Sequence, residues 1–215
     1  MAAKKSNKSK KNKGKKKPSY ATLTLANVKA LAASLMEVAD RYPTTFRTEV
    51  DFYPLVVAFL SWKLRGLRAE APADGKQAID FKVGGTTNPA YLELAVAPRA
   101  LGDLESTKTK LPNKTQLYAT ANESEMKKLS TRGGGTKGRF LLLVDLRKTP
   151  HKDLEAKYQT IAKKLPGGNL VNVVYAHRAL KKCEVYKIKN EEAAKKAKAK
   201  KAKAKAKKAK KAKKK

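Results

Sequence analysis

The 215-residue chain has one cysteine, one tryptophan, two histidines and only 18 acidic residues. A lone thiol, Cys183, excludes an internal disulfide and a cysteine-based zinc site, and reads as a small core or strand residue. His151 and His177 lack the spacing of a zinc-ligand pair. No apolar run approaches the ~18 residues of a membrane span. No apolar segment follows the basic start of the chain, as a signal peptide requires. No serine-hydrolase elbow is present. These absences lead to the expectation of a soluble protein of the cytoplasm or nucleoid, with no membrane partner and no small-molecule cofactor. They leave the oligomeric state open.

Positive charge is what the chain has in excess. Against the 18 acids stand 51 Lys and Arg, for a formal net charge of +33. Residues 1–17 hold nine lysines and no acid, and residues 191–215 hold fourteen lysines and two glutamates, so the ends carry +21 and the middle +12. Lysines beside a phosphate backbone release condensed counterions, a term that ignores base sequence. Nucleic acid is therefore the expected partner, DNA first and RNA as the alternative polyanion. A solubilising charge or attraction to anionic lipid is the blander account. Both ends are expected to be disordered. The N-terminal one has no apolar periodicity. In the C-terminal one, like charges at i,i+4 oppose the helix that alanine favours.

Residues 18–190 read as one domain. Leu25, Val28, Leu31, Leu35 and Val38 recur at helical spacing over 22–41. A second helix is expected over 50–65, with Asp51 as N-cap and Pro54 tolerated in the first turn; Trp62 and Tyr53 follow its spacing and are expected in the core. Residues 78–83 and 91–96 alternate like the strands of a hairpin around Gly84–Pro89. A helix over 115–129, a glycine-rich loop over 132–138, a buried strand over 140–144, a helix over 152–165 and strands over 170–175 and 184–187 complete the chain. The order α-α-β-β-α-β-α-β-β predicts a single α/β domain, with a mixed sheet flanked by helices. The glycine-rich loop, Arg132 to Gly138, does not match the phosphate-binding loop pattern and precedes a strand; it reads as a basic connection able to touch a nucleic-acid backbone.

Asp80 and Glu93 are the acids singled out for chemistry. Each lies mid-strand among apolar residues, where a charge needs a partner. Two carboxylates on adjacent hairpin strands can share one Mg²⁺, an ion that takes oxygen ligands and keeps several waters, and that polarises a phosphodiester. Glu49, at the start of the second helix, can add a ligand. The blander account pairs Asp80 with Lys82 on the same strand face and leaves Glu49 as an acid favoured by the helix dipole.

The segments Thr48–Leu55, Ile79-Asp80, Leu92–Val96, Lys114–Tyr118 and Gly138–Asp145 resemble, in order and content, the PD-(D/E)XK nuclease superfamily, the restriction-endonuclease-like fold. The resemblance spans about residues 48–176 and implies an αβββαβ core. It implies that Glu49 is the helix acid, that Asp80 and Glu93 are the motif acids, and that Gln116 is the polar residue of the next helix. The motif lysine falls on Ala95, and Ile79 stands where the motif has proline. Lys82, Lys108, Lys110 and Lys114 are the cations expected to substitute for the lysine, the last three also contacting nucleic acid with Arg132, Lys137 and Arg139. The C-terminal end resembles the Lys/Ala-rich tails of linker-histone-like proteins. Two functions follow: a Mg²⁺-dependent endonuclease, or a non-enzymatic, nucleoid-associated protein on a degenerate nuclease scaffold. An RNA-binding factor at the ribosome is the third class.

Overall fold

A computed structural model describes residues 22–46, 48–64, 66–72, 78–85, 89–98, 117–132, 136, 138–180 and 182–212. Along the chain come α1 (Leu25–Arg41), α2 (Glu49–Lys63), β1 (Arg68–Pro72), β2 (Ala78–Val83) and β3 (Ala90–Ala97). There follow α3 (Glu123–Thr131), β4 (Gly138–Asp145), α4 (Leu154–Ala162), β5 (Val171–His177), β6 (Glu184–Ile188) and α5 (Glu191–Ala212). The six strands form one sheet in sequence order. β2 pairs antiparallel with both β1 and β3, β3, β4 and β5 run parallel, and β6 closes the far edge antiparallel to β5. The predicted mixed sheet flanked by helices is the observed architecture.

Two hydrophobic layers cover the sheet. On one face Leu31 and Leu35 of α1 and Phe52 and Val56 of α2 pack on Phe81, Leu92 and Leu142. On the other, Met126 of α3 and Tyr158 of α4 pack on Leu141, Leu143 and Val173. β4 and β5 are buried on both faces along nearly their whole length, as the continuous apolar run over 140–144 predicts for β4.

Three elements and one side chain differ from the sequence expectation. β1 is not legible in the sequence, because Arg-Ala-Glu-Ala-Pro alternates charge only with alanine and holds no β-branched or aromatic residue. It is an edge strand ending in proline, a place where proline removes no needed ladder bond. α2 begins at Glu49 with Thr48, not Asp51, as its N-cap; the Asp51 carboxylate instead accepts the Thr48 N–H at 2.6 Å and the Thr48 hydroxyl at 2.9 Å. The helix expected over 115–129 is a set of turns over 117–122 and a helix from Glu123, where Glu123 and Glu125 suit the positive end of the helix dipole. Trp62 is 80% exposed and does not join the core.

The disordered C-terminal end is also corrected: Glu191–Ala212 is a continuous helix. Its first turn is tied to the domain. Asn190 Oδ1 accepts the Ala193 N–H at 3.0 Å, while its amide donates to the carbonyls of Leu165 (2.7 Å) and Lys163 (3.2 Å). A Cβ on Gly168 would lie 2.3 Å from the Ala194 nitrogen, so glycine is what lets this turn seat. Such anchoring supplies the costly helix nucleus, and alanine propensity carries the helix onward. The expected N-terminal tail, residues 1–17, lies outside the described residues.

Candidate active site

The β2–β3 ladder runs from Val83↔Ala90 to Phe81↔Leu92. At the next rung side chains take over from backbone. Asp80 Oδ2 accepts the Leu94 N–H at 2.8 Å, and Glu93 Oε2 accepts the Asp80 N–H at 3.4 Å. Asp80 and Glu93 therefore stand together on the sheet face that carries α3. They line a pocket of about 200 Å³ with Glu49, Glu125, Asn122 and Ala95. Glu49 arrives from the first turn of α2, where the Tyr53 hydroxyl donates to its Oε1 at 3.5 Å. The Tyr53 ring is fixed edge-on against Phe81, 5.1 Å between centroids. Its expected packing role thus coexists with a polar contact in the pocket.

A lysine reaches this pocket, but not one of those expected. Lys128 of α3 places its ammonium 2.9 Å from Glu93 Oε1 and 3.8 Å from Glu125, and donates to the Ala78 carbonyl at 3.0 Å. Lys82 is opposite Tyr91 and forms no ion pair with Asp80 among the described residues. Lys108, Lys110, Lys114, Gln116 and Lys137 lie outside the described residues. Arg132 and Arg139 are turned to local structure: Arg139 Nε donates to the Arg132 carbonyl at 2.9 Å, and the Arg132 guanidinium sits 5.5 Å from the Tyr91 ring centroid.

One ammonium does not balance four carboxyl groups. Burial, then the Asp80 charge, push the Glu93 carboxyl up to about 8 against the pull of Lys128. Burial and Asp80 also push Glu49 up to about 7, and the Tyr53 hydrogen bond only partly offsets them. Burial raises the Tyr53 phenol as well. Glu93 Oε1 is buried without an aligned hydrogen bond; the Lys128 contact to it is an ion pair by distance, since the ammonium's aligned bond goes to Ala78.

Such oxygens suit a hard divalent cation. Among the described residues no three His, Cys, Asp or Glu side chains form a ready cage for an ion. Asp80 and Glu93 offer the one or two carboxylates by which Mg²⁺ is usually held, the remaining positions being left to water and substrate. Ala95 contributes only a methyl group to the wall.

A second buried acid provides a contrast. Asp145, at the end of β4, takes a bidentate pair from Arg147 (2.7 and 2.6 Å) and the Tyr175 hydroxyl at 2.7 Å. Tyr175 in turn accepts the His151 N–H at 2.7 Å. His177 accepts the Ala179 N–H at Nδ1 (3.0 Å), which assigns the ring proton to Nε2, 2.8 Å from the Arg147 carbonyl. The His151 ring places Nδ1 2.7 Å from the Lys152 carbonyl and stands edge-on to Tyr118, so both imidazoles have local partners. Cys183 is half-buried, and burial pushes its thiol up, away from reactivity. Among the described residues no helix is long and apolar enough to cross a membrane. The chain matches no protein-family model and no curated protein sequence.

Proposed function

We propose that the carboxylate pocket is a divalent-cation-dependent site for phosphodiester hydrolysis, on a restriction-endonuclease-like scaffold, and that the substrate is DNA. The observation that carries this is the meeting of Glu49, Asp80, Glu93 and Glu125 around about 200 Å³, with the Lys128 ammonium 2.9 Å from Glu93. The succession α2-β1-β2-β3-α3-β4 supports the same reading, since it matches the αβββαβ order that the sequence resemblance implies.

Asp80 and Glu93 are the residues that would hold Mg²⁺, with Glu49 assisting. The ion, when bound, supplies Lewis acidity toward a phosphodiester and a more acidic water. Lys128 takes the part that the motif gives to a lysine on β3: its ammonium neutralises charge that develops on the phosphoryl oxygens. It reaches the carboxylates from α3, through Glu93 and Glu125. The net positive charge of the chain draws in the polyanion.

The test is cleavage of plasmid and linear duplex DNA with Mg²⁺ or Mn²⁺. Asp80→Asn and Glu93→Gln are expected to abolish cutting, and Lys128→Met to slow it by about 100-fold or more, the usual cost of losing a preorganised charge partner in a transition state. Cutting that persists in Glu93→Gln would belong to another protein. The second reading, a non-enzymatic, nucleoid-associated protein on a degenerate scaffold, is favoured by the Lys128–Glu93 pair, which occupies the place of the ion. No cutting with either metal, together with tight DNA binding, selects it.

A further inference from the structure

We propose that α5 is a preformed docking rod that lies in the major groove of B-form DNA and holds the phosphates of both groove walls. The inference stands apart from the carboxylate pocket and survives if that pocket proves inert.

The argument begins with where the charges are. From Lys195 to Lys215 the chain holds lysine and alanine only. Lys195, Lys196, Lys198, Lys200, Lys201 and Lys203 are all exposed, and so are the alanines between them. At about 100° per residue these six positions point to every side of the helix. No face is left to pack on the domain, so the helix leaves the protein after its first turn. That turn is the part gripped by Asn190 and Gly168.

The circumference of charge selects the occupant. A helix meant for an anionic membrane needs an apolar face to sink between headgroups, and alanine does not make one. A helix lying along a single phosphate strand would use charge on one side only. A groove with phosphates on both walls uses all sides but the floor. The major groove of B-DNA, about 12 Å wide, admits an α-helix; that of A-form RNA is too deep and narrow. At about 1.5 Å per residue the span from Lys195 to Ala212 is about 27 Å, most of one duplex turn. Alanine methyls at the floor carry no donor or acceptor, so no base sequence is read. Anchoring matters because it removes nucleation from the cost of binding. Lysine repulsion at i,i+4, which strains the free helix, is relieved between two phosphate walls.

The experiment measures binding of the full chain in EDTA, so that no cleavage intervenes, to a 24-base-pair DNA duplex and its RNA counterpart. A chain ending at Ala194 gives the contribution of the rod as a ratio of dissociation constants, which cancels the other basic segments. We expect about 100-fold or more on DNA and less than about 10-fold on RNA, with the log–log salt slope on DNA falling by about 5 when the rod is removed, for about six phosphates released. Ala202→Pro keeps every charge and breaks the rod; it should weaken DNA binding about tenfold. Equal ratios on DNA and RNA overturn the proposal, as does an Ala202→Pro chain that binds DNA like the parent. Phosphatidylserine vesicles that gain more from the rod than DNA does would also overturn it and point to a membrane.

Discussion

The sheet carries buried carboxylates at two places, and they are treated in opposite ways. Asp145, fully buried, meets a guanidinium fork, a phenol and a backbone N–H, all at hydrogen-bond distance. Glu93, equally buried, meets another acid, a lysine at 2.9 Å and a long 3.4 Å bond from the Asp80 N–H. A buried charge whose lone pairs are satisfied rigidifies a fold. One that is left short, beside three more carboxyl groups, keeps affinity in reserve for a cation. Full burial is common to both acids, so burial does not distinguish them; the balance of partners does.

The largest test of that contrast is at the satisfied end. Asp145→Ala leaves Arg147 and the Tyr175 hydroxyl without their acceptor, and should cost about 3 kcal/mol in denaturant unfolding. Magnesium should not change that loss. A cost below about 1 kcal/mol would mean that the Asp145 network is not structural, and the comparison would lose one side.

Next in size is the response to the ion itself. At pH 8, Mg²⁺ at ten times its dissociation constant should stabilise the parent chain by about 1.4 kcal/mol. For a domain of this size that is about 3–6 °C in melting temperature. Asp80→Asn and Glu93→Gln should lose the gain and Asp145→Ala should keep it. Because the Glu49 and Glu93 protons are held up to about 7 and 8, the gain should shrink as pH falls through that range. Equal stabilisation at pH 5 and pH 8 would place the ion elsewhere.

Only the Glu93 side of this contrast is legible in the sequence; the Asp145 network depends on partners that the fold brings from β5 and the loop after β4. Asp80 and Glu93 stand out because strand alternation fixes which side chains share a face, and a hairpin brings the faces together. Lys82 met the same alternation yet does not pair with Asp80, whose Oδ2 is taken by the Leu94 N–H. Lys128 was not foreseen, because its role depends on where α3 crosses the sheet. Glu125 and Lys128 flank the inward Met126 and Leu129, a weak signal that becomes readable only once the helix start is moved to Glu123. Trp62 was misplaced because α2 is apolar on nearly all sides, so its periodicity has no phase. The helix α5 is not legible in the sequence, because local lysine repulsion opposes it and the Asn190 anchor that offsets this is set by the fold.

The smallest effect is the most discriminating. Glu49 sits at the first position of α2, where the helix dipole favours its charge by about 0.3–1 kcal/mol. Burial and Asp80 disfavour that charge by more, which is why its carboxyl is raised to about 7. The folded chain therefore holds this proton where the unfolded chain has released it, between about pH 4.5 and 7. More protons bound in the native state means that stability falls as pH rises through that window. Glu49→Gln removes the titration. It should match the parent near pH 4 and exceed it at pH 8, by no more than about 1 kcal/mol because Glu49 is partly open to solvent. Saturating Mg²⁺ should close the gap by stabilising the parent. If the glutamine chain is instead the less stable at pH 8, the dipole outweighs the carboxyl crowding, and Glu49 belongs with Asp145 as a structural acid.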